Sequence, residues 1–530
     1  MPQPSGRDAA LAAATLAEGW SLERLTPASR LFGANGLATG ADGRLYVAQV
    51  AGSQVSAIDV DSGAIEVVSP MGGDIVAPDD LVFDEAGNLY LTEITEGRVC
   101  MRSPGGQVRV IQGDMPVANP ITWHQGRLIA GECRFGARIM ELDRNGGAPR
   151  VILEDVPMAN AFQVGPDGKL YFPAQGANQI WRVSLDGGAP EVVAGDLGVP
   201  DSVKFDSKGR IVTTQVASGQ VLRIDLQSGA REILADLGPG LDNVAFVGER
   251  MFVSSIPGEI TEILEGGRIR PIAARGLQWP MGLAVGDDGA LFVADGGFAY
   301  TLRPGGRLEL AGMLFSPGFP GFVRGVAAAG EGRWVVSTAL GTVARWRAGA
   351  PEHEVLASGL AMPMGVAVRD DAVAVADGGA GRVLLIENGG QSELASGLDS
   401  PTGLAFGADG ACYVAESGAG RILALAGGRT ETVLDGLGRP EGLAAWGNGL
   451  VTVDLATREL IAFAPDGSGR RTLASGLPVG APGGLVRVPA GGVGDMCGPM
   501  TAFTGLAAGG DGTIYLSADA EGSVLALRPH

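Results

Sequence analysis

One unit of about 40 residues recurs along almost the whole chain, and this repeat restricts the folds that the chain can adopt. Within residues 401–440 the pattern predicts four short strands, at 404–406, 412–415, 421–425 and 430–434. Gly and Asp separate these segments, and both tolerate the positive φ that tight turns require. Four short strands in a unit of this length are typical of a β-propeller blade.

Each unit opens with a short strand that resembles the pattern x-G-L-A, and the residue at x differs between the two halves of the chain. The first six x residues are Asn35, Asp79, Asn119, Asn160, Asp201 and Asp242. The last six are Met281, Arg324, Met364, Thr402, Glu441 and Thr504. Because single propeller rings rarely exceed about eight blades, these units predict an all-β protein with two six-bladed propellers in tandem. We place the N-terminal propeller at 29–277 and the C-terminal propeller at 278–530.

The two ends of the chain are predicted to meet in one blade. The last unit ends at its third strand, residues 523–527, and lacks an outer fourth strand. Residues 20–28 contain an alternating strand with no partner nearby, so we expect it to close the C-terminal propeller and cover the open sheet edge. Before it, the Ala-rich stretch 9–17 predicts a short surface helix within a helical N-terminal segment, 1–19.

Composition and charge limit the cellular compartment and the binding partners that we expect for this protein. The Ala-rich stretch has no basic region before it, which argues against a secretory signal and favours a cytoplasmic protein. The formal net charge of −20 argues against nucleic acid and anionic membranes as partners. No apolar run approaches the roughly 18 residues of a membrane span. These features favour a protein that acts on a small molecule, and they leave its oligomeric state open.

Blade geometry predicts which side chains line the two central channels. The inner strand of a blade starts at one face of the channel and the second strand returns to that face, so x and the second-strand end are expected at the same mouth. In the N-terminal half every x residue is Asp or Asn. The second strands there end in Gln49, Glu93, Glu132, Gln175, Gln215 and Ser255. Oxygen donors without thiol or imidazole suit one hard divalent cation, Ca²⁺ first and then Mg²⁺ or Mn²⁺.

The C-terminal half predicts a mixed mouth with apolar, basic and acidic side chains. Its expected substrate contacts are Met281, Met364 and Glu441. In one interpretation Arg324 binds a substrate carboxylate in an organic-ligand pocket. In the other, the propeller is purely structural and Asp295 or Asp377 neutralises Arg324.

Two long connections interrupt the repeat, at 313–322 and 480–503. Long ordered loops on a compact scaffold often carry function, so both are candidates for functional segments.

Histidine is not expected at the candidate site, because the three histidines, His124, His353 and His530, fall outside the channel positions. A Ser-His-Asp hydrolase is therefore disfavoured, and acid-base chemistry would fall to carboxylates or metal-bound water.

The x-G-L-A openings, the D-G turns and the VAD or VAE strand ends resemble the repeats of the gluconolactonase/senescence-marker-protein (regucalcin-like) propeller superfamily, here duplicated. Similar blades occur in its NHL-repeat and streptogramin-lyase relatives, and no histidine here matches the catalytic histidine of the lyases. The resemblance covers almost the whole chain. It implies a lactonase whose divalent metal is held by a Glu, two Asn and an Asp. Asn119, Asn160 and Asp201 match the Asn-Asn-Asp part, whereas Asn35 stands where the family has Glu.

By this resemblance Asn35, Asn119, Asn160 and Asp201 would hold the metal, and Asp201 would also act as general base. Glu93 or Glu132 would supply the charge that Asn35 lacks. Further catalytic candidates are Glu132 and Arg324, and further substrate contacts are Asp79, Glu93 and Asp242.

The resulting expectation is a metal-dependent hydrolase of lactonase or esterase type that acts on a small organic substrate. Two alternatives stay open. One is a lyase or isomerase that uses a carboxylate base on the same scaffold, and the other is a propeller that binds a ligand or protein without catalysis.

Overall fold

A computed structural model of the protein describes residues 7, 13–481 and 503–530. These residues form twelve antiparallel sheets and two short 3₁₀ turns, Gln175–Ala177 and Glu265–Gly267. The described residues divide into two compact units. One contains Ser29–Gly276, and the other contains 13–28, 277–481 and 503–530. A search of the described part finds no helix with the length and apolar character needed to span a membrane.

The first two strands belong to the C-terminal unit and are β1 (Thr15–Leu16) and β2 (Trp20–Arg24). The strands of the N-terminal unit are β3 (Leu37–Thr39), β4 (Leu45–Gln49), β5 (Gln54–Ile58), β6 (Ile65–Ser69), β7 (Pro78–Phe83), β8 (Leu89–Glu93), β9 (Arg98–Arg102), β10 (Val108–Gln112), β11 (Ala118–His124), β12 (Arg127–Glu132), β13 (Ala137–Leu142), β14 (Arg150–Val156), β15 (Gln163–Val164), β16 (Lys169–Ala174), β17 (Gln179–Ser184), β18 (Glu191–Ala194), β19 (Pro200–Phe205), β20 (Ile211–Gln215), β21 (Gln220–Ile224), β22 (Arg231–Asp236), β23 (Leu241–Val247), β24 (Arg250–Ser255), β25 (Glu259–Ile263) and β26 (Ile269–Ala273).

The remaining strands of the C-terminal unit are β27 (Leu283–Val285), β28 (Leu291–Asp295), β29 (Phe298–Leu302), β30 (Leu308–Met313), β31 (Val323–Ala328), β32 (Arg333–Thr338), β33 (Val343–Arg347), β34 (Glu354–Ala357), β35 (Pro363–Arg369), β36 (Ala372–Asp377), β37 (Arg382–Glu387), β38 (Gly390–Ser396), β39 (Pro401–Phe406), β40 (Cys412–Glu416), β41 (Arg421–Ala426), β42 (Arg429–Leu434), β43 (Pro440–Trp446), β44 (Gly449–Asp454), β45 (Glu459–Phe463), β46 (Arg471–Ser475), β47 (Leu506–Ala508), β48 (Ile514–Ala518) and β49 (Ser523–Pro529).

Each unit is a closed ring of six blades, as the repeat predicts. Within a blade the strands pair in sequence order, from the inner strand to the outer strand. The inner strands β3, β7, β11, β15, β19 and β23 each contact their two neighbours, and β23 returns to β3. The inner strands β27, β31, β35, β39, β43 and β47 form the second ring, which closes between β47 and β27. The predicted fold class, two six-bladed propellers, is confirmed.

The predicted N-terminal strand closes the C-terminal propeller. Strand β2 pairs antiparallel with β49, so that Trp20 lies opposite Pro529 and Arg24 lies opposite Leu525. Arg24 also forms an ion pair with Glu521, with 2.8 Å between Nε and Oε1. This pairing completes the twelfth blade with its missing outer strand.

The predicted N-terminal helix is corrected in its described part. Residues 13–17 are not helical, and Thr15–Leu16 instead forms strand β1. This strand adds a fifth strand to the eleventh blade by pairing with β46, and the backbone N–H of Ala17 donates to Leu473 O at 2.9 Å. An open sheet edge offers hydrogen bonds that outweigh the modest helix propensity of alanine.

Six glycines, all at the second position of the x-G-L-A openings, set the width of the C-terminal channel. A Cβ on Gly403 would lie 2.2 Å from Glu441 O in the next blade, too close for any other residue. The equivalent Cβ positions of Gly282, Gly325, Gly365, Gly442 and Gly505 would lie 2.3–2.6 Å from the next inner strand. The space between these strands is a cavity of about 30 Å³, too small for an organic ligand.

Candidate active site in the N-terminal propeller

The six x residues of the N-terminal propeller are buried at the starts of the inner strands. Their exposed fractions range from 2% for Asn119 to 8% for Asn35. Two amide side chains connect blades across the mouth. Asn35 Nδ2 donates to Asp242 Oδ2 at 3.0 Å, and Asn160 Nδ2 donates to Asp201 Oδ2 at 3.1 Å. The x positions therefore bring Asp and Asn side chains together at one end of the channel.

Hydroxyl groups on the second strands fix the backbone at the x residues. Thr92 Oγ1 donates to Asn119 O at 2.6 Å, and Ser254 Oγ donates to Asn35 O at 2.6 Å. In each case the hydroxyl comes from the preceding blade. Because these bonds join neighbouring blades, they hold the x residues in a common ring.

The amide oxygens of the predicted metal ligands differ in what they bind. Asn35 Oδ1 accepts from Val50 N at 3.1 Å, and Asn160 Oδ1 accepts from Ala161 N at 2.8 Å. The Oδ1 atom of Asn119 is buried and accepts no hydrogen bond from any described residue. A buried carbonyl oxygen without a donor is costly, so Asn119 is the one amide here that offers an oxygen for a ligand.

Three aspartates at this mouth hold protons more tightly than ordinary carboxyl groups. Burial raises the pKa of Asp79, and the charges of Asp242 and Asp80 raise it further. Burial likewise raises the pKa of Asp201 well above its usual range, with Asp242 and Asp79 adding to the effect. For Asp242, burial and the Asp80 charge raise the pKa to about 8, although the Asn35 hydrogen bond opposes the shift. Without a bound cation, this mouth therefore favours the protonated form of its carboxyl groups.

Asp80 occupies the second position of its opening, where the pattern has Gly, and forms part of the channel wall. Its carboxylate accepts from Leu81 N at 2.9 Å, Ile121 N at 3.2 Å and Asn243 Nδ2 at 3.2 Å. Burial raises the pKa of Asp80, whereas the charge of Lys204 lowers it. Sequence reasoning missed Asp80 and Asn243. The usable signal was a carboxylate and an amide at a position that holds Gly, Pro, Ala or Ser in the other four blades of this propeller.

Gln175 and Cys133 also belong to this mouth. Gln175 Nε2 donates to Asp201 Oδ2 at 3.0 Å, and Cys133 Sγ lies 4.0 Å from Gln175 Oε1. Burial raises the pKa of the Cys133 thiol, and the charges of Asp201, Asp79 and Asp242 raise it further. The thiol is therefore neutral and is not a thiolate nucleophile. No pattern in the sequence places Cys133 near these acids.

The carboxylates of Glu93 and Glu132, at the second-strand ends, form hydrogen bonds and ion pairs within their own blades. Glu93 Oε1 accepts from Val76 N at 2.8 Å and pairs with Arg98. Glu132 accepts from Arg134 Nε at 3.0 Å and from Arg138 Nε at 2.9 Å. Both acids are fully buried and engaged, so neither the catalytic interpretation of Glu132 nor the substrate contact of Glu93 is supported by the geometry.

The backbone before the x residues is strained in the N-terminal propeller. Two positions before each x residue, φ is positive in all six blades, at Gly33, Ala77, Val117, Met158, Val199 and Gly240. For Val117 and Val199, with φ of 57° and 62°, this conformation is a genuine outlier. At the five described equivalents in the C-terminal propeller only Ser400 has positive φ. Backbone strain of this kind concentrates at functional sites.

The C-terminal channel residues are buried and bonded locally. Asp377 accepts from Met362 N at 2.9 Å and pairs with Arg382 at 3.2 Å. Asp295 accepts from Trp279 N at 2.6 Å, and Glu441 accepts from Thr504 N at 3.0 Å. Arg324 is 1% exposed.

The predicted substrate contacts Met281 and Met364 are fully buried. In the 313–322 connection, Phe319 packs edge-on against Trp346, with 5.4 Å between ring centroids. This part of the connection therefore has a packing role. The second connection, 480–503, lies outside the described residues apart from 480–481 and 503.

A metal ion at the N-terminal mouth would use carboxylate and amide oxygens together. In the described ranges, no three His, Cys, Asp or Glu side chains are arranged to hold a metal ion by themselves. The Asp79 carboxyl is buried and lies close enough to Asp242 and Asp80 for their charges to raise its pKa, and Asn119 Oδ1 accepts no hydrogen bond from the described residues. The donor chemistry fits a hard cation, with Asn119 required beside the aspartates.

Comparison with known proteins gives structural neighbours but no sequence relatives. No protein-family model matches the chain, and no curated protein matches it. One similar solved structure, described as a candidate gluconolactonase, is 17% identical over 49% of this chain and 94% of its own, with a TM-score of 0.38. Another, a gluconolactonase from Xanthomonas campestris, is 16% identical over 47% of this chain and 96% of its own, with a TM-score of 0.39.

Proposed function

We propose that the protein is a divalent-cation-dependent hydrolase of lactones or esters, with its site at the mouth of the N-terminal propeller. The observation that carries this proposal is the group of three buried aspartates, Asp79, Asp201 and Asp242, whose pKa values are raised. Buried carboxylates that repel one another are stabilised when a cation neutralises them. The strained backbone before the same strands supports a functional role for this mouth.

Asp79, Asp242 and Asn119 are the proposed cation ligands. Asp79 and Asp242 supply negative charge. Asn119 supplies an amide oxygen that accepts no hydrogen bond from the described residues. Asn35 and Asn160 donate to Asp242 and Asp201, so we assign them to orienting these carboxylates. A divalent cation bound there supplies a Lewis acid that polarises the ester carbonyl.

Asp201 is the proposed general base. Asn160 and Gln175 both donate to its Oδ2 atom, which leaves Oδ1 to take a proton from an attacking water. Because burial raises the pKa of Asp201, its ionised carboxylate is a stronger base than that of an ordinary aspartate. The resulting hydroxide attacks the ester carbon, and protonated Asp201 returns its proton to the departing alkoxide. The products are a carboxylic acid and an alcohol, joined in one hydroxy acid when the substrate is a lactone.

The direct test combines metal analysis with a lactone and ester screen. We expect about one Ca²⁺ or similar ion per chain, lost on chelation together with activity. Asp201→Asn should lower kcat by about 100- to 10,000-fold while the fold is retained. Asp186→Asn is the matched control, because the Asp186 side chain is 92% exposed and lies away from the channel residues. Full activity in Asp201→Asn would overturn the assignment.

Two further readouts separate the alternatives. Hydrolysis adds one water to the product, whereas a lyase or isomerase leaves the total mass unchanged, so mass spectrometry of the products distinguishes them.

The variant Arg324→Lys tests which of the two propellers carries the active site. If this variant is inactive while the cation stays bound and Asp201→Asn is active, the chemistry lies in the C-terminal propeller.

A further inference from the structure

Phe135 differs from the other exposed large apolar residues of the described chain. Its exposed fraction, 68%, exceeds that of each of the others. The others all lie on outermost strands and are Val110, Val151, Val192, Ile233, Ile269, Leu310 and Val355. Phe135 instead lies on the loop between the second and third strands of blade three, β12 and β13. Single apolar residues on outer strands need no explanation, but an exposed phenyl ring on a channel-side loop does.

The loop that carries Phe135 is held in place on both sides. Cys133 N donates to Val117 O at 2.8 Å, and Met158 N donates to Arg134 O at 3.0 Å. Glu132 accepts from Arg134 Nε at 3.0 Å and from the backbone N–H of Arg138 at 3.1 Å. The exposure of the ring is therefore a property of an anchored loop.

Phe135 shares a loop with Cys133 and packs against Gly176, the residue after Gln175. Cys133, two positions earlier, is buried and interacts electrostatically with Asp201, Asp79 and Asp242. The ring packs over Gly176, since a Cβ at that glycine would lie 2.7 Å from Phe135 Cε1. Gly176 follows Gln175, which donates to Asp201. An apolar surface thus lies one residue away from Gln175, which donates to the proposed base.

We propose that Phe135 forms an apolar wall of the N-terminal mouth and selects lactones or esters that carry an alkyl or aryl group beside the hydrolysed bond. This inference rests on the proposed function and adds the class of its substrate. An exposed, preorganised ring gains apolar burial when such a group covers it. A polyhydroxylated lactone offers no comparable apolar contact and would leave the Phe135 ring partly exposed to water.

The test compares δ-decalactone, which carries a pentyl chain, with unsubstituted δ-valerolactone and with glucono-δ-lactone. The native protein should hydrolyse δ-decalactone with the highest kcat/KM. Phe135→Ala should raise KM for δ-decalactone by about 10- to 100-fold and change kcat/KM for δ-valerolactone less than about twofold. Phe135→Leu should retain most of the preference. Because the ring is exposed, the thermal midpoint of both variants should match that of the native protein.

Binding of the corresponding lactams, measured by calorimetry, separates this inference from the proposed function. The pentyl-substituted lactam should bind the native protein more tightly than δ-valerolactam, and Phe135→Ala should abolish the difference. If the lactams behave this way but no lactone is hydrolysed, the reaction is wrong and the role of Phe135 stands. Equal affinity of the two lactams, no lactam binding, or a preference unchanged in Phe135→Ala would overturn the role of Phe135.

Discussion

The side-chain amide of Asn35 donates to the carboxylate of Asp242, 3.0 Å away, and so joins the first and sixth blades of the N-terminal propeller. The same amide accepts from Val50 N through its oxygen. One side chain therefore satisfies a backbone donor and holds an acid of the candidate site. The amide of Asn35 thus serves as a donor to its neighbour in the ring.

Asn35→Leu tests this bond. The variant keeps similar volume but leaves Val50 N and the buried Asp242 carboxyl without their partner, which should lower the free energy of unfolding by about 1–3 kcal/mol. Because the Asn35 hydrogen bond lowers the pKa of Asp242, its loss should raise that pKa above about 8. Denaturant unfolding and carboxyl NMR titration measure the two effects. Asn88→Leu is the control, since Asn88 donates to Asp84 on a half-buried turn.

The pH dependence of stability without cation follows from the aspartates. The pKa of Asp242 rises from 3.8 unfolded to about 8 folded, so the folded state binds the extra proton between these values. Stability is therefore fully present below about pH 4 and falls as pH rises, by about 1.4 kcal/mol per pH unit for each such proton, until the folded pKa is passed. Thermal midpoints in chelator from pH 5 to 8 measure this slope. Asp242→Asn should flatten it, and saturating Ca²⁺ should offset it. A midpoint that rises with pH in chelator would contradict the prediction.

Asn119→Asp should convert the amide oxygen into a fourth acid of the mouth. More negative ligands strengthen Ca²⁺ binding, so we expect the Kd for Ca²⁺ to fall by about tenfold or more. The same added repulsion should lower the thermal midpoint in chelator at pH 8. Calorimetric titration with Ca²⁺ gives the affinity. Asn88→Asp, which adds an acid beside Asp84 on a turn, should leave Ca²⁺ affinity unchanged, and an unchanged affinity in Asn119→Asp would remove Asn119 from the ligand set.

Gly403→Ala tests the close approach of inner strands in the C-terminal propeller. Its Cβ would meet Glu441 O at 2.2 Å, and a backbone atom cannot rotate away. We expect a loss of about 3 kcal/mol in the stability of this propeller, measured by denaturant unfolding. Gly510→Ala is the control, since a Cβ there meets nothing within 4 Å, and it should stay within about 1 kcal/mol of the parent. Equal stability of the two variants would show that the ring tolerates side chains.

The repeat pattern was sufficient to predict the fold. The repeat pattern gives the positions of strands and turns, so the orphan strand at Trp20 could be matched to the open sheet edge at residues 523–527. The helix at 9–17 failed in its described part because pairing with a sheet edge depends on tertiary position, which local composition does not report.

The candidate site was predictable by residue position but not by side-chain partner. The x positions identify Asp201 and Asn119, because the start of an inner strand is fixed by the repeat. Glu132 shares a mouth position in the pattern, yet an arginine six residues later engages its carboxylate within the blade. Gln175 occupies the same position without such an arginine bond and donates to Asp201. To tell the role of Gln175 from that of Glu132 requires the side-chain geometry, and the spacing of the repeat does not specify that geometry.

The closure of the C-terminal ring by β2 has a consequence for the order of folding during synthesis. Ser21 and Arg528 pair although they lie 507 positions apart. All strands of the N-terminal propeller come from one continuous segment, so that propeller can fold on the ribosome as soon as its sixth blade emerges. Strand β2 is synthesised before the N-terminal propeller but can pair only after β49 has emerged, so it stays without its sheet partner while the residues between them are made.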